Sequence, residues 1–173
     1  LKGLCFLLSG RETLLGGKAR QVDLFEDRIV ASARSESSNQ TTITNGSTAS
    51  SDDSSAGSGA VYVYNRSGTN WSQEAYIKPT NLDASDHFGH SVAISNNTLV
   101  VGAWGEASNY AYQSTTASIN NSYSDAGAAY VFVRSGTTWT LQQYLKANNV
   151  EAGDKFGLSV STTNGNYAAY YNE

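Results

Sequence analysis

The residues of this chain best suited to chemistry form a short run, Asp86, His87 and His90, in the pattern Asp-His-x-x-His. Carboxylate and imidazole groups at close spacing are potential zinc ligands. A similar segment recurs later in the chain, but there Lys155 and Leu158 replace the two histidines. The histidines are therefore not part of a recurring design, and three ligands on a turn that leads into a strand need not converge. We favour a solvated loop over a metal site for this run.

One carboxylate of the run does recur, because Asp86 has a counterpart in Asp154. Each stands two residues before a Phe-Gly pair. Asp side chains in such connections commonly accept hydrogen bonds from nearby backbone N–H groups in Asx-type turns. We predict this turn role for Asp86 and Asp154, with weak cation binding as the alternative.

Two aromatic residues and two cationic residues also recur at equivalent positions. Trp71 corresponds to Trp139, and Arg66 corresponds to Arg134. Recurrence at equivalent positions indicates packing, and a guanidinium can stack on an indole ring. A ligand-binding tryptophan is the alternative that the sequence leaves open.

The chain lacks the common sequence motifs of catalytic sites. It contains no Gly-x-Ser-x-Gly, no P-loop and no His-Glu-x-x-His. Cys5 lies in an apolar run that indicates a core or edge strand, with no basic neighbour to activate its thiol. The adjacent Asp52 and Asp53 lie in a Ser-rich loop, where solvation is expected. We predict that the chain is not an enzyme.

Length and composition narrow the class of protein. The chain has 173 residues, a formal net charge of −4, and 39% hydrophobic against 15% charged residues. The acidic balance argues against nucleic acid binding, which requires a basic surface. No apolar stretch approaches the ~18 residues of a membrane span, so we expect no membrane insertion. The lone Cys5 cannot form an internal disulfide, and the absence of Met indicates processing or excision from something longer.

An internal repeat organises the chain. Residues 59–92 match residues 127–160 without a gap at an offset of 68. Residues 22–33 match residues 92–103 at an offset of 70, and a third copy begins at Ser159. The sequence therefore contains about two and a half copies of one unit.

Each copy alternates β-branched and aromatic runs with turn residues, the pattern of short strands. Four antiparallel strands per unit fit one blade of a β-propeller, whereas a β-sandwich gives no reason for the repeat. We predict an all-β fold of about two and a half four-stranded blades, a partial propeller. The predicted strands are 22–25, 28–33, 59–66, 71–78, 91–95, 98–103, 127–134 and 139–146. The predicted parts are a divergent lead-in (1–21), blade 1 (22–78), a crossover (79–90), blade 2 (91–146), a crossover (147–158) and the start of blade 3 (159–173).

The recurring motifs resemble those of the FG-GAP repeat family, the integrin-α-type β-propellers. The Phe-Gly pair appears as Phe88-Gly89 and Phe156-Gly157, each followed by Ser-Val. The Gly-Ala-Pro element is similar to Gly102-Ala103-Trp104, without its proline, and the first copy lacks the Phe-Gly pair at 18–21. The predicted motif residues are Phe88, Gly89, Gly102, Ala103, Phe156, Gly157, Trp71 and Trp139.

Many members of that family carry a calcium loop of the form Asp-x-Asp-x-Asp-Gly in the first hairpin of a blade. The corresponding hairpins here, 25–28, 95–98 and 163–166, do not supply several carboxylates. We therefore expect no cofactor, and we do not assign the calcium sites of the family to this chain. Calcium binding without the usual loop motif is the alternative.

The long loops are the predicted site of function. Alternation of strand direction places both insertions, 34–58 and 104–126, at the same end as the crossovers, here called the top end. Rigid scaffolds usually carry binding residues on such loops. In the second insertion the expected ligand-binding residues are Trp104, Glu106, Tyr110, Tyr112 and Tyr123. The alternative is that both insertions are merely tolerated.

We hypothesise a non-enzymatic recognition or adhesion module, secreted or at the cell surface, that binds a protein or glycan through its top end. In integrin-like propellers this end binds the ligand, as the resemblance implies. Alternatives are a structural scaffold or spacer in a larger surface protein, or an accessory domain of a hydrolase. The remaining blades of a parent chain, or partner copies, would complete the ring. No nucleic acid partner is expected.

Overall fold

The computed structural model describes residues 21–110 and 113–170, and these residues are entirely strands, turns and loops. Residues 1–20 of the predicted lead-in (1–21), including Cys5, lie outside the described residues. The described ranges contain eleven strands, in the order β1 (Val22–Phe25), β2 (Arg28–Ala33), β3 (Thr44–Asn45), β4 (Ala60–Ser67), β5 (Asn70–Ile77), β6 (Ser91–Ser95), β7 (Thr98–Ala103), β8 (Ala128–Ser135), β9 (Thr138–Leu145), β10 (Ser159–Thr163) and β11 (Asn166–Tyr170).

The strands form two blades and the start of a third. Blade 1 has the order β1-β2-β4-β5-β3, blade 2 has β6-β7-β8-β9, and β10-β11 form a hairpin. Every pairing within these sheets is antiparallel. The all-β partial propeller that the repeat predicted is confirmed, and the described residues form no closed ring.

Local sequence explains why the blades have these strands. The first hairpin of each blade turns at a residue with positive φ, namely Glu26, Asn96 and Asn164. Asn is among the residues that tolerate this left-handed conformation best. The observed strand ends differ from the predicted ones by only one residue where they differ at all. The short β3 was not predicted.

Blade 2 packs an aromatic face on blade 1 and a face of smaller residues on the β10–β11 hairpin. Tyr130 and Phe132 of β8 pack in one cluster with Val61 and Val63 of β4. The alternate residues of β8 face the other way, because successive side chains of a strand point to opposite sides. Both faces are therefore buried, which explains why the strands lack a polar side.

The first strand of each blade lies on the side of the blade that faces the expected propeller axis. β1, β6 and β10 together line an open groove of about 600 Å³. Neighbouring inner strands are joined by side chains, since Asp23 Oδ2 accepts a hydrogen bond of 2.7 Å from the N–H of Ile94. The groove occupies the place of the central channel of a propeller.

At each Phe-Gly crossover, the backbone pairs with the start of the third strand of the preceding blade. Phe88 is fully buried and pairs with Gly59 in a parallel bridge, and Phe156 pairs with Gly127 in the same way. A Cβ atom at Gly127 would lie 2.2 Å from the carbonyl oxygen of Phe156. The recurring glycine therefore permits a backbone approach that any side chain would block.

The two long insertions fold back along the outer edge of their own blade. In the first, β3 pairs with β5 through Thr44 and Tyr76. In the second, Ser114 and Tyr144 exchange backbone hydrogen bonds of 3.0 and 2.7 Å at the equivalent place. The insertions leave the blade at the top end but cover strand edges that would otherwise be open to pairing.

Candidate functional site

A half-buried cluster of aromatic and basic side chains lies at the top end, around Trp104. The His87 ring stacks on the indole with centroids 4.9 Å apart, and Lys155 Nζ lies 5.1 Å from the indole centroid. His90 meets the same indole edge-on at 6.1 Å. Arg34, which holds the position equivalent to Trp104 in blade 1, completes the set. We call Arg34, His87, His90, Trp104 and Lys155 the Trp104 cluster.

Two donors fix the protonation of His90. Trp104 Nε1 donates to His90 Nδ1 at 3.1 Å, and Arg34 Nη1 lies 3.2 Å from the same nitrogen. Indole and guanidinium N–H groups only donate, so Nδ1 must accept and the ring is neutral with its proton on Nε2. Burial lowers the pKa of His90, and the charges of Arg34 and His87 lower it further.

This geometry corrects the interpretation of the two histidines as part of a solvated loop. Both rings are half-buried and both pack on Trp104. Within residues 21–110 and 113–170, no group of three His, Cys, Asp or Glu side chains is arranged to hold a metal ion. The packing partners come from another element of the fold, which the local pattern Asp-His-x-x-His could not indicate.

The cluster also contains an incompletely bonded guanidinium. Arg34 Nε is buried and has no hydrogen-bond partner among the residues that the structure describes. Buried polar groups are usually paired, because leaving one unpaired costs about 1–3 kcal/mol. The cluster therefore combines an aromatic platform with one guanidinium whose hydrogen bonds the described residues do not complete.

The five expected ligand-binding residues have different surroundings. Trp104 lies in the cluster described above, while Tyr110 and Tyr123 are 47% and 37% exposed. Glu106 is only 1% exposed, and Lys146 Nζ donates to its Oε2 at 2.7 Å. Tyr112 lies outside the described residues. Glu106 is thus an interior residue and does not share a surface with the tyrosines.

The buried ion pair of Glu106 belongs to a recurring network that sequence reasoning missed. In blade 1, Lys78 Nζ donates to Glu36 Oε2 at 2.6 Å. In each blade a serine two residues after the glutamate lies within hydrogen-bond distance of a tyrosine on the outer strand, as in Ser108 and Tyr144 at 2.7 Å. The network ties each insertion to its blade. Recurrence of Glu-x-Ser at an offset of 70 was a signal that could have found it.

The recurring aspartates accept hydrogen bonds from backbone N–H groups of their crossovers, but the donor lies three residues before each aspartate, whereas in the predicted Asx-type turn it would follow. Asp86 Oδ2 accepts from the N–H of Asp83 at 2.9 Å, and Asp154 Oδ2 accepts from the N–H of Glu151 at 2.7 Å. Asp86 is buried, and this burial, with the nearby Glu106 and Asp83 charges, raises its pKa to about 7. Weak cation binding at these aspartates is a prediction that the contacts leave untested.

The two recurring tryptophans differ in their surroundings. The Arg66 guanidinium lies 5.7 Å from the ring centroid of Trp71, as the packing prediction expects. Trp139 is instead buried between blades, and its Nε1 donates to Glu74 Oε1 at 2.7 Å. Arg134 binds both oxygens of Glu74, at 2.8 and 3.1 Å. We call Glu74, Arg134 and Trp139 the interblade clasp.

Comparison with known proteins supports the fold assignment. A family model for the FG-GAP repeat matches residues 71–132, from the last strand of blade 1 through the third strand of blade 2. The chain therefore carries an FG-GAP repeat on a β-propeller-like fold, and such repeats are typically extracellular. A search of curated proteins gives no significant match. Nowhere in the described ranges is there a helix long and apolar enough to cross a membrane.

Proposed function

We propose that this chain is a non-enzymatic recognition module, secreted or displayed at a cell surface, that binds a protein or glycan through its top end. The Trp104 cluster is the observation that carries the proposal. It places an indole, two permanent cations and two imidazoles together at the end of the blades where both crossovers lie. The remaining blades of a parent chain, or partner copies, complete the propeller around it.

The chemistry of the cluster suits binding. Trp and Arg are enriched where proteins bind partners, because they offer large apolar area with directed donors. Tyr110 and Tyr123, exposed on the same insertion as Trp104, offer the same kind of surface. His90 Nδ1 is already occupied by two donors, which suits a residue that positions Trp104 and Arg34.

Replacement of Trp104 by Ala tests this proposal. We expect W104A to lose at least tenfold in affinity for the ligands that the wild-type protein captures on an array of glycans and extracellular matrix proteins. W71A is the matched control, since Trp71 is also a half-buried indole beside a cation but lies at the opposite end of its blade. Thermal unfolding of both variants separates loss of binding from loss of fold. Equal binding by the wild type and W104A would contradict the proposal.

A structural scaffold is the second candidate function, and the path of the insertions favours it. Both insertions pair with the outer strand of their blade and are anchored there by buried Glu–Lys pairs. Segments used in this way stabilise a rigid spacer. A wild-type protein that captures no ligand on the array would favour the scaffold over the recognition module.

A further inference from the structure

Glu106 bridges a buried amine and a buried carboxamide. Its Oε2 accepts from Lys146 Nζ at 2.7 Å, and its Oε1 accepts from Asn81 Nδ2 at 3.1 Å. The Lys146 and Glu106 side chains are 0% and 2% exposed. Asn81 belongs to the crossover that enters blade 2, whereas Lys146 directly follows β9, the last strand of that blade. One carboxylate thus joins two parts of the chain that are distant in sequence.

The orientation of the Asn81 carboxamide is fixed by its partners. Its nitrogen donates both to Glu106 Oε1 and to the carbonyl oxygen of Ser118, at 2.8 Å for the latter. Two acceptors on one side identify that atom as the nitrogen. On the other side, the Tyr130 hydroxyl donates to Asn81 Oδ1 at 2.9 Å. A donor therefore faces the oxygen, and a carboxylate faces the nitrogen.

The burial of these groups suits acyl transfer. Desolvation lowers the pKa of the Lys146 amine, although Glu106 opposes this effect, so its neutral, nucleophilic form becomes more accessible. Desolvation raises the pKa of Tyr130, and the charges of Glu106 and Tyr144 raise it further. The Tyr130 hydroxyl therefore keeps the proton that it donates to Asn81. A preorganised donor at a carbonyl oxygen stabilises the negative charge of a tetrahedral intermediate.

We propose that Lys146 Nζ and Asn81 Cγ form an intramolecular isopeptide bond, with Glu106 as the proton carrier and Tyr130 as the oxyanion donor. The Lys146 ammonium gives a proton to Glu106, and the free amine attacks Cγ. Tyr130 stabilises the oxyanion at Oδ1, and the Cγ–Nδ2 bond then breaks. Both protons that Lys146 loses pass through Glu106 to the departing nitrogen, which leaves as ammonium. One C–N bond forms and one breaks, and no redox partner is needed.

The bond would join the crossover to the outer strand of the blade that follows it. A covalent link across a long loop stabilises a fold chiefly by restricting the unfolded chain. The only cysteine, Cys5, cannot supply such a link through an internal disulfide.

Blade 1 provides an internal control. Lys78 Nζ donates to Glu36 Oε2 and to Ser58 Oγ, so a hydroxyl accompanies the ion pair there. A hydroxyl is not an acyl donor. In blade 2, Ala126 stands at the position equivalent to Ser58, so no such hydroxyl is present. Instead, Asn81 Nδ2 donates to Oε1 of Glu106, the oxygen that Lys146 does not bind. Lys78 is therefore expected to stay a free amine.

Mass spectrometry of the purified full chain tests the proposal. We expect an intact mass lower by one ammonia molecule than the sequence mass. We also expect a branched tryptic peptide that joins Asn81 to Lys146, with no cleavage after Lys146. A wild-type protein with its full mass and a cleavable Lys146, after prolonged incubation in the folded state, would overturn the proposal.

Two variants make the assignment specific, because succinimide formation at Asn45-Gly46 or Asn164-Gly165 also releases ammonia. K146R is expected to have its full mass, whereas K78R keeps the ammonia loss. If K146R still loses ammonia, succinimide formation is the source of the mass loss, and the proposal of an isopeptide bond is overturned. E106Q is expected to slow the reaction at least a hundredfold, and the wild-type peptide map decides the question even where a variant does not fold. The outcome is independent of ligand binding at the Trp104 cluster.

Discussion

Asp86 is a residue whose burial gives the fold a pH dependence. The folded-state pKa of about 7 lies above the ordinary value of 3.8. Between these two values the folded protein holds more protons than the unfolded chain does, so the free energy of unfolding falls as pH rises. The carboxyl thus stabilises the fold best in its protonated form.

We predict that D86N removes most of this pH dependence. The amide oxygen can still accept from the N–H of Asp83, and the residue no longer ionises. In urea titrations, the wild type should lose roughly 2–4 kcal/mol of unfolding free energy between pH 4 and 7 relative to D86N. D154N is the matched control, because Asp154 makes the same turn while half-exposed. Equal flattening of the profile by both variants would contradict the prediction.

A comparison of Gly127 with Gly136 distinguishes the cost of backbone strain from the cost of a steric collision. Both have positive φ, but only Gly127 has neighbours within 4 Å of the Cβ that a substitution would add. We predict that G136A costs about 1–2 kcal/mol through its left-handed backbone alone. G127A should cost at least about twice as much, because the added methyl collides with Phe156. Thermal and urea unfolding measure both, and similar losses would contradict a close approach at the crossover.

At the scale of elements, the interblade clasp shows how a strand irregularity positions a side chain. Glu74 falls where the pairing of β4 with β5 shifts register between Val63 and Tyr64. Such a bulge re-aims a side chain. Here it places the Glu74 carboxylate against Arg134 and Trp139 of the next blade. The equivalent residue in blade 2 is Gln142, so blade 2 does not present the same carboxylate to the strands that follow it.

We predict that E74Q destabilises the protein by about 2–4 kcal/mol in urea unfolding, because it leaves buried cationic and indole donors without a carboxylate. D27N is the matched control. Its pair with Arg66 is about half exposed on both sides and is therefore worth less than about 1 kcal/mol. Comparable losses in the two variants would mean that the clasp adds nothing beyond a surface ion pair.

At the scale of the whole molecule, blade packing depends on a repeated asymmetry between faces. The aromatic face of blade 2 covers the smaller residues of blade 1, and β10–β11 cover the second face of blade 2. Because each interface joins unlike faces, blades add head to tail around an axis.

The hairpins at the bottom end give a whole-molecule prediction about calcium. Asp27 is held by Arg66 at 2.6 Å, and Asn97 and Asn164 are neutral at the equivalent hairpins. Tight calcium sites need several carboxylates. We expect less than about 2 °C change in Tm when millimolar calcium replaces a chelator, since only binding to the folded state raises Tm. A rise of more than a few degrees would show that the folded protein binds calcium and would contradict this prediction.

Sequence patterns alone were sufficient to predict the strands, the repeating unit and the bonding of Asp86 and Asp154 to backbone N–H groups of the crossovers. These features depend on local rules, namely the period of two along a strand, the turn residues and a constant repeat offset. Each rule acts over a few neighbouring residues, so it can be read without knowing what packs opposite. That is why the predicted strand ends agree with the observed ones to within a residue.

Which side chains come into contact could be seen only once the blades were packed together. The Glu106 side chain lies in the interior, where it binds Lys146 and Asn81. The two histidines pack on Trp104, and Arg34 of blade 1 contacts one of them. Trp71 and Trp139 are equivalent in sequence, yet the first meets Arg66 beside it and the second meets Glu74 of the preceding blade. Their partners lie tens of residues away along the chain, and the free energy of a buried charge depends on those partners. Local pattern does not identify these partners, because contact across blades is set by how whole faces pack.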